Sequence, residues 1–213
     1  MQRVFQRRLI LGSDQRFLVG ARQHVRVAVE RARLVHEGDR VTIDAERRLG
    51  IIVGPRAMRL AVQKARATGV GVVTVRRAGH FGAIGHHAMI AAEQDMIGVC
   101  FVGVGGFEPS VLPTFSAEPM FGTNPIAIAA PARREPPFLF DAATSVIAGN
   151  RIRSAIRSGS YLLPGWVADK QGNPLTTETL VQDRRQFHLL LLGSTREQGS
   201  HKGYGLSMAT EVL

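Results

Sequence analysis

The chain is poor in cysteine, aromatic residues and lysine, and it has no long apolar run. A single cysteine, Cys100, stands among 213 residues. It cannot close an internal disulfide, which excludes a disulfide-stapled secreted scaffold and dithiol redox chemistry. Within Ile97-Gly98-Val99-Cys100-Phe101-Val102 it reads as a small buried hydrophobe rather than a nucleophile. No apolar stretch approaches the roughly 18 to 20 residues that span a bilayer, and the apolar part of Met1 to Leu11 is too short for a secretory signal. These absences predict a cytoplasmic protein with no membrane partner. Aromatic residues make up 6% and do not interleave with basic ones, so there is no base-stacking platform for a nucleic acid.

What is present fits one compact domain or two small ones: 45% of residues are apolar and 21% charged. The net charge of +10 is unevenly spread. Residues 1–34 hold eight Arg against Asp14 and Glu30, a surplus of six, and the remainder is only mildly basic. Of the 27 basic residues just Lys64, Lys170 and Lys202 are lysines. A basic leader of this kind is a candidate for an acidic partner, but the body lacks the footprint, and no nucleic-acid partner is expected.

The chain divides near residue 35. The leader has no sustained periodicity beyond a possible short helix at Val25 to Ala32, whereas residues 35–213 are regularly patterned. Val41 to Asp44 reads as a strand, and Gly54-Pro55 opens a helix that stops near Gly69. Strands are expected at Val70 to Val75, Ile97 to Val102, Pro125 to Ala130 and Phe138 to Phe140. Helices are expected at His80 to Gln94, Thr144 to Arg157 and from Gly203 onward. Turns are marked by Pro164-Gly165-Trp166 and Asp169 to Pro174. The last helix is still apolar at Met208, Val212 and Leu213 and meets no cap. A reading-frame change upstream of residue 35 and an early stop would together produce such a chain.

Several residues stand where chemistry could be done. Gly103-Val104-Gly105-Gly106 follows a strand, but Glu108 occupies the position where a dinucleotide fingerprint needs glycine, and Pro109 and Pro113 forbid the helix it needs next. His80, between glycines at a strand-to-helix junction, suits a general acid or base; a capping or surface histidine is the plainer alternative. His86 and His87 give no metal-binding spacing with His80 and read as helix surface. Asp141, at the end of an apolar strand, suits orientation of an imidazole or a ribose contact, and equally a helix N-cap. Lys202, flanked by Gly203 just before a helix, is placed to hold phosphate, or is simply solvated.

Six collinear segments together resemble the malate/L-lactate dehydrogenase family of oxidoreductases that lack a Rossmann domain. They are Leu49-Gly50 with Gly54 to Met58, Gly79 to Ala83, Phe121 to Ala127, Phe140 to Ser145, Pro164 to Pro174, and His201 to Leu206. The resemblance implies an α/β fold, a non-Rossmann sheet with flanking helices, incomplete relative to the family fold. It also implies a homodimer, NAD or NADP as cofactor, and hydride transfer at the carbon next to the carboxylate of a small substrate, a 2-hydroxy acid, 2-oxo acid or cyclic imine. His80 matches the family's catalytic histidine. Val104, Asp141, Ala142, Ala143 and Lys202 match nucleotide-contacting positions, and Asn124 lies in a matching loop that helps shape the site. No metal is implied. The family's Ser-His-Gly motif, with the following Arg that binds the substrate carboxylate, has no counterpart in residues 1–34. Members also continue beyond the equivalent of Leu213. The resemblance therefore leaves open a second reading, an inactive remnant or interaction module that pairs with a full-length relative.

Overall fold

The computed structural model describes residues 33–37, 40–104 and 107–213. The leader helix expected at 25–32 and the glycines at 105 and 106 lie outside the described residues. Strands β1 (Arg33–Glu37) and β2 (Arg40–Asp44) form an antiparallel pair, and β3 (Val73–Arg76) adds in parallel to β2 after the crossover helix α1 (Gly50–Thr68). Helix α1 buries Gly50, Val53, Gly54 and Ala57, a spacing of three and four residues that puts one face on the sheet, and Val62 further along. That face meets Val41, Ile43 and Ala45, with Val73 and Val75 at the margin. Each buried Val or Ile there is worth about 1.5–3 kcal/mol.

Helix α1 begins at Gly50, a turn before the expected start, and carries Pro55 inside it. Its first free amides are satisfied by the chain downstream: Gly50 N–H donates to Gly79 O at 3.2 Å and Ile51 N–H to His80 O at 3.2 Å. Gly69 closes the helix in the left-handed conformation (φ 86°), its N–H donating to Ala65 O. The next strand starts at Val73, later than expected. Gly71 runs against the backbone of Ala61, and Val70 and Val72 are exposed, so this stretch climbs over α1 before joining the sheet.

A second layer packs helix α2 (Gly85–Ala92) on an antiparallel sheet of β4 (Gly98–Phe101), β5 (Ile126–Ala130) and β6 (Phe138–Ala142), in the order β4-β5-β6. Ile84, Ala88, Ala92, Ala127 and Ala129 form its core. Small residues permit the close approach, and the Gly98 backbone touches that of Ala88. Cys100 lines this layer, and burial pushes its thiol up to about 11, which keeps it an inert thiol at neutral pH.

The remaining core gathers Val111, Phe121, Leu189 and Leu191 around helix α3 (Gly149–Ser158) and the short strands β7 (Tyr161–Leu162), β8 (Val167–Ala168), β9 (Thr179–Leu180) and β10 (His188–Leu189). The helix expected from Thr144 starts only at Gly149. Residues 144–146 are instead tied to neighbouring segments: Thr144 N–H donates to Thr123 O, Ser145 bridges Leu191, and Val146 N–H donates to Leu190 O. Helix α4 (Ser200–Val212) ends the chain. The fold is thus mixed α/β with small sheets and flanking helices, and the described residues contain no doubly wound parallel sheet. No described helix is long and apolar enough to cross a membrane.

Candidate active site

The loop between β3 and α2 presents His80 in exposed position, and it is anchored at both ends. At its start, Asp44 at the end of β2 accepts from Arg77 Nε at 2.8 Å and Nη2 at 2.7 Å, and forms a second ion pair with Arg76 at 3.3 Å. Asp44 is 3% exposed. The Arg77 guanidinium, helped by the Glu46 amide, lowers its carboxyl to about 2. At the loop's far end, Asp141 Oδ2 accepts from Gly85 N–H at 2.7 Å, satisfying the first amide of α2. Asp141 therefore acts as a cap, but the helix it caps lies 56 positions earlier in the chain. Asp141 also sits within β6, paired with Ala127, rather than after it.

Three glycines make room for this loop. A Cβ at Gly50 would stand 2.5 Å from the Phe81 ring, one at Gly54 2.6 Å from His87 Nε2, and one at Gly85 2.9 Å from Asp141 Oδ2. His80 Nδ1 accepts from Gly82 N–H at 3.0 Å. The neutral ring consequently carries its proton on Nε2, which pairs with no protein group among the described residues. The expected helix from His80 starts only at Gly85, and this changes the neighbouring histidines. His86 is exposed as expected, but His87 is 3% exposed and belongs to the core face. With the helix in its true register, His87 continues the stripe of Ile84, Ala88 and Ala91 at spacings of three and four, so it turns inward.

A second cluster forms where β4 ends, β5 begins and β6 ends. The register Phe101↔Ile126↔Ala142 brings Val104, Asn124, Ala142 and Ala143 to this one edge. Helix α4 covers it. Asn124 is 2% exposed and left-handed (φ 38°); its Nδ2 donates to Ser207 O at 3.3 Å and to Glu211 Oε1 at 2.8 Å. Flipping the amide would aim its oxygen at two acceptors, so the orientation is set, and Oδ1 is left buried without a partner. Val104 N–H also donates to Glu211 Oε1, at 2.9 Å, and its carbonyl accepts from Phe107 N–H. The Val104 N–H is thus taken, while its carbonyl keeps a second lone pair. Thr144 Oγ1 and Ser207 Oγ lie 2.7 Å apart behind them.

Lys202 is the third residue of α4, exposed, and makes no salt bridge among the described residues. Its side chain passes Gly199, which precedes the helix in left-handed conformation (φ 92°). The helix lays Lys202 about 7 Å along its axis from Ser207. The fold therefore unites Val104, Asn124, Ala142 and Ala143 at one edge with α4 over them, and ties Asp141 to the His80 loop through α2. No hydrogen bond, ion pair or ring contact joins His80 to these residues or to Lys202.

Glu211, Ser207 and Asp44 were not singled out from sequence, and His87 was read there only as helix surface. Glu211 carried a readable signal: it is the sole charged residue between Gly203 and Leu213 and lies four positions after Ser207, on the same helix face. Asp44 carried none, since its partner Arg77 is 33 residues away.

The class defined by this fold and site is a mixed α/β chain that displays a histidine on a glycine-rich loop beside a non-Rossmann sheet edge. The family model described as malate/L-lactate dehydrogenase matches residues 19–213, reaching back across the division near residue 35. Malate dehydrogenase of Pyrococcus horikoshii is 40% identical over 182 residues, which is 85% of this chain and 49% of that protein. Among solved structures, malate dehydrogenase from Entamoeba histolytica superposes with a TM-score of 0.75 at 32% identity, over 85% of this chain and 51% of that one. Delta1-piperideine-2-carboxylate reductase from Pseudomonas syringae does so with a TM-score of 0.71 at 32% identity, over 85% and 52%. The chain belongs to the malate/L-lactate dehydrogenase family, and it spans about half the length of the curated relatives it matches.

Proposed function

We propose that the chain carries the acid–base half of a nicotinamide-dependent oxidoreductase acting at the carbon next to a carboxylate, on a small 2-hydroxy acid, 2-oxo acid or cyclic imine. The observation that carries this reading is His80: an exposed imidazole, held on a loop braced by Asp44 and Asp141, with its outer nitrogen free for a substrate. Nε2–H donates to the substrate oxygen or nitrogen and polarises it. Full transfer requires the ring first to take a solvent proton on Nδ1, which opens the contact with Gly82; the resulting imidazolium gives its Nε2 proton to the substrate oxygen or nitrogen and is left neutral with its proton on Nδ1. In the reverse direction that Nδ1–H ring accepts the substrate proton on Nε2.

The residues present fit NAD or NADP. The positively polarised start of α4, with the exposed Lys202 on its first turn, suits a diphosphate. The edge of Val104, Asn124, Asp141, Ala142 and Ala143 supplies an apolar and polar wall beside it. When bound, the cofactor supplies or receives the hydride. Lys202 binds and orients; Asn124 and Glu211 hold the wall in place. A homodimer in the cytoplasm belongs to the same reading.

The test is oxidation of NADH or NADPH with 2-oxo acids and cyclic imines as acceptors. His80→Ala lowers turnover by about 10²–10⁴-fold while leaving cofactor affinity unchanged. Equal turnover in that variant overturns the assignment.

A second reading is favoured by one observation. The sheet face away from α2 exposes Val99, Phe101, Ile128, Phe138 and Phe140 together. Such a face suits a module that pairs with a full-length member of the family rather than turning over substrate alone.

A further inference from the structure

Two histidines flank one peptide group. His87 Nε2 lies 3.1 Å from the carbonyl oxygen of Phe81, and the N–H of that same Phe81–Gly82 peptide donates to His80 Nδ1 at 3.0 Å. The tautomer of His87 follows from its partners. With the proton on Nε2 the ring donates to the Phe81 carbonyl and leaves only the Nδ1 lone pair unpartnered in the core. With the proton on Nδ1 a buried N–H would be orphaned and two acceptors would face each other, which costs more. The chain of groups therefore runs in one sense, from His87 Nε2–H to the carbonyl, through the peptide, and from its N–H to His80.

The ring of His87 is also held in place. Gly54 of α1 leaves it the space that a Cβ would fill, and the rings of Phe81 and His86 meet it edge to face, with centroids 6.1 Å and 5.6 Å away. Burial lowers its pKa, with the hydrogen bond to Phe81 and the charge of Asp141 acting against it and His86 adding to it, so the ring stays neutral at physiological pH.

We propose that His87 is a positioning residue for His80: by holding the Phe81 carbonyl it orients the Phe81–Gly82 peptide, whose N–H then sets the His80 ring and keeps its neutral proton on Nε2. The catalytic consequence rests on the acid–base reading of His80; the structural link does not. A buried histidine that merely fills the core would have no influence on the tautomer of an exposed one.

The experiment is nitrogen-15 spectroscopy of histidine-labelled chain, which reads tautomers without needing turnover. In the unsubstituted protein His87 and His80 both appear as neutral Nε2–H tautomers, and Nδ1 of His80 carries the signature of a hydrogen-bond acceptor. His87→Phe keeps the ring's volume and removes the donor; it turns His80 into a mixture of tautomers, and His87→Gln, which returns an N–H near the same place, restores the single form. Where substrate turnover is measurable, His87→Phe lowers kcat about tenfold or more without raising the KM for cofactor. Finding His87 protonated on Nδ1 in the unsubstituted protein overturns the proposal even if neither variant folds. So does an unaltered His80 spectrum in a folded His87→Phe chain. Should the tautomer link hold while His80→Ala retains turnover, the acid–base reading fails and the positioning of His80 by His87 stands.

Discussion

Asp44 acts on His80 at a distance of one loop, by fixing where that loop begins. Its carboxylate grips Arg77 with two hydrogen bonds, and Arg77 stands in left-handed conformation (φ 53°) at the exit of β3. Because its folded pKa of about 2 lies below the ordinary 3.8, its contribution to stability is present above that ordinary value. It is lost as pH falls from about 4 through about 2. Asp44→Asn abolishes this component: circular dichroism followed during acid titration shows a less stable chain at neutral pH and a flatter decline across that window. An unaltered acid profile would contradict the account. At this scale the sequence singles out His80 but not the contacts that hold its loop, since neither the Asp44–Arg77 pair nor the His87–Phe81 contact leaves a local trace.

Helix α4 carries two glycines with opposite packing demands. A Cβ at Gly203 would run into the backbone of Leu192, whereas one at Gly205 meets nothing. Gly203→Ala should therefore destabilise the chain by about 1–3 kcal/mol through overpacking. Gly205→Ala should stabilise by about 0.5–1 kcal/mol through helix propensity alone. Urea denaturation of the two variants checks both signs, and equal effects would show that the Leu192 contact does not set the helix. The same element-scale logic explains the boundaries that periodicity misplaced. Helices α1 and α2 start where a distant carbonyl or carboxylate meets their first amide, at Gly79 and Asp141, and α3 starts late because the Thr144 amide is drawn to the Thr123 carbonyl. Periodicity within a segment carries no information about those partners.

Across the molecule, the β4–β6 sheet is covered on one face by α2 and bare on the other. The aromatic residues on the bare face dominate its apolar area. If the chain pairs with a full-length relative, mixing the two gives a heavier complex by light scattering, and Phe138→Ser with Phe140→Ser removes it. Unchanged masses on mixing would discard that reading. The sequence by itself determined the strands at 41–44, 98–101, 126–130 and 138–140, the turns at Gly165 and Gly172, the exposed apolar end at Val212 and Leu213, and the family, because these depend on local alternation, local turn chemistry and collinear motifs. Tertiary structure alone decided that Asp141 caps α2, that Glu211 joins Asn124 to Val104, and that His87 turns into the core behind His80. Each of these is a hydrogen bond or a burial set by where two remote segments come together, and the free energy of such a contact exists only once the chain has folded.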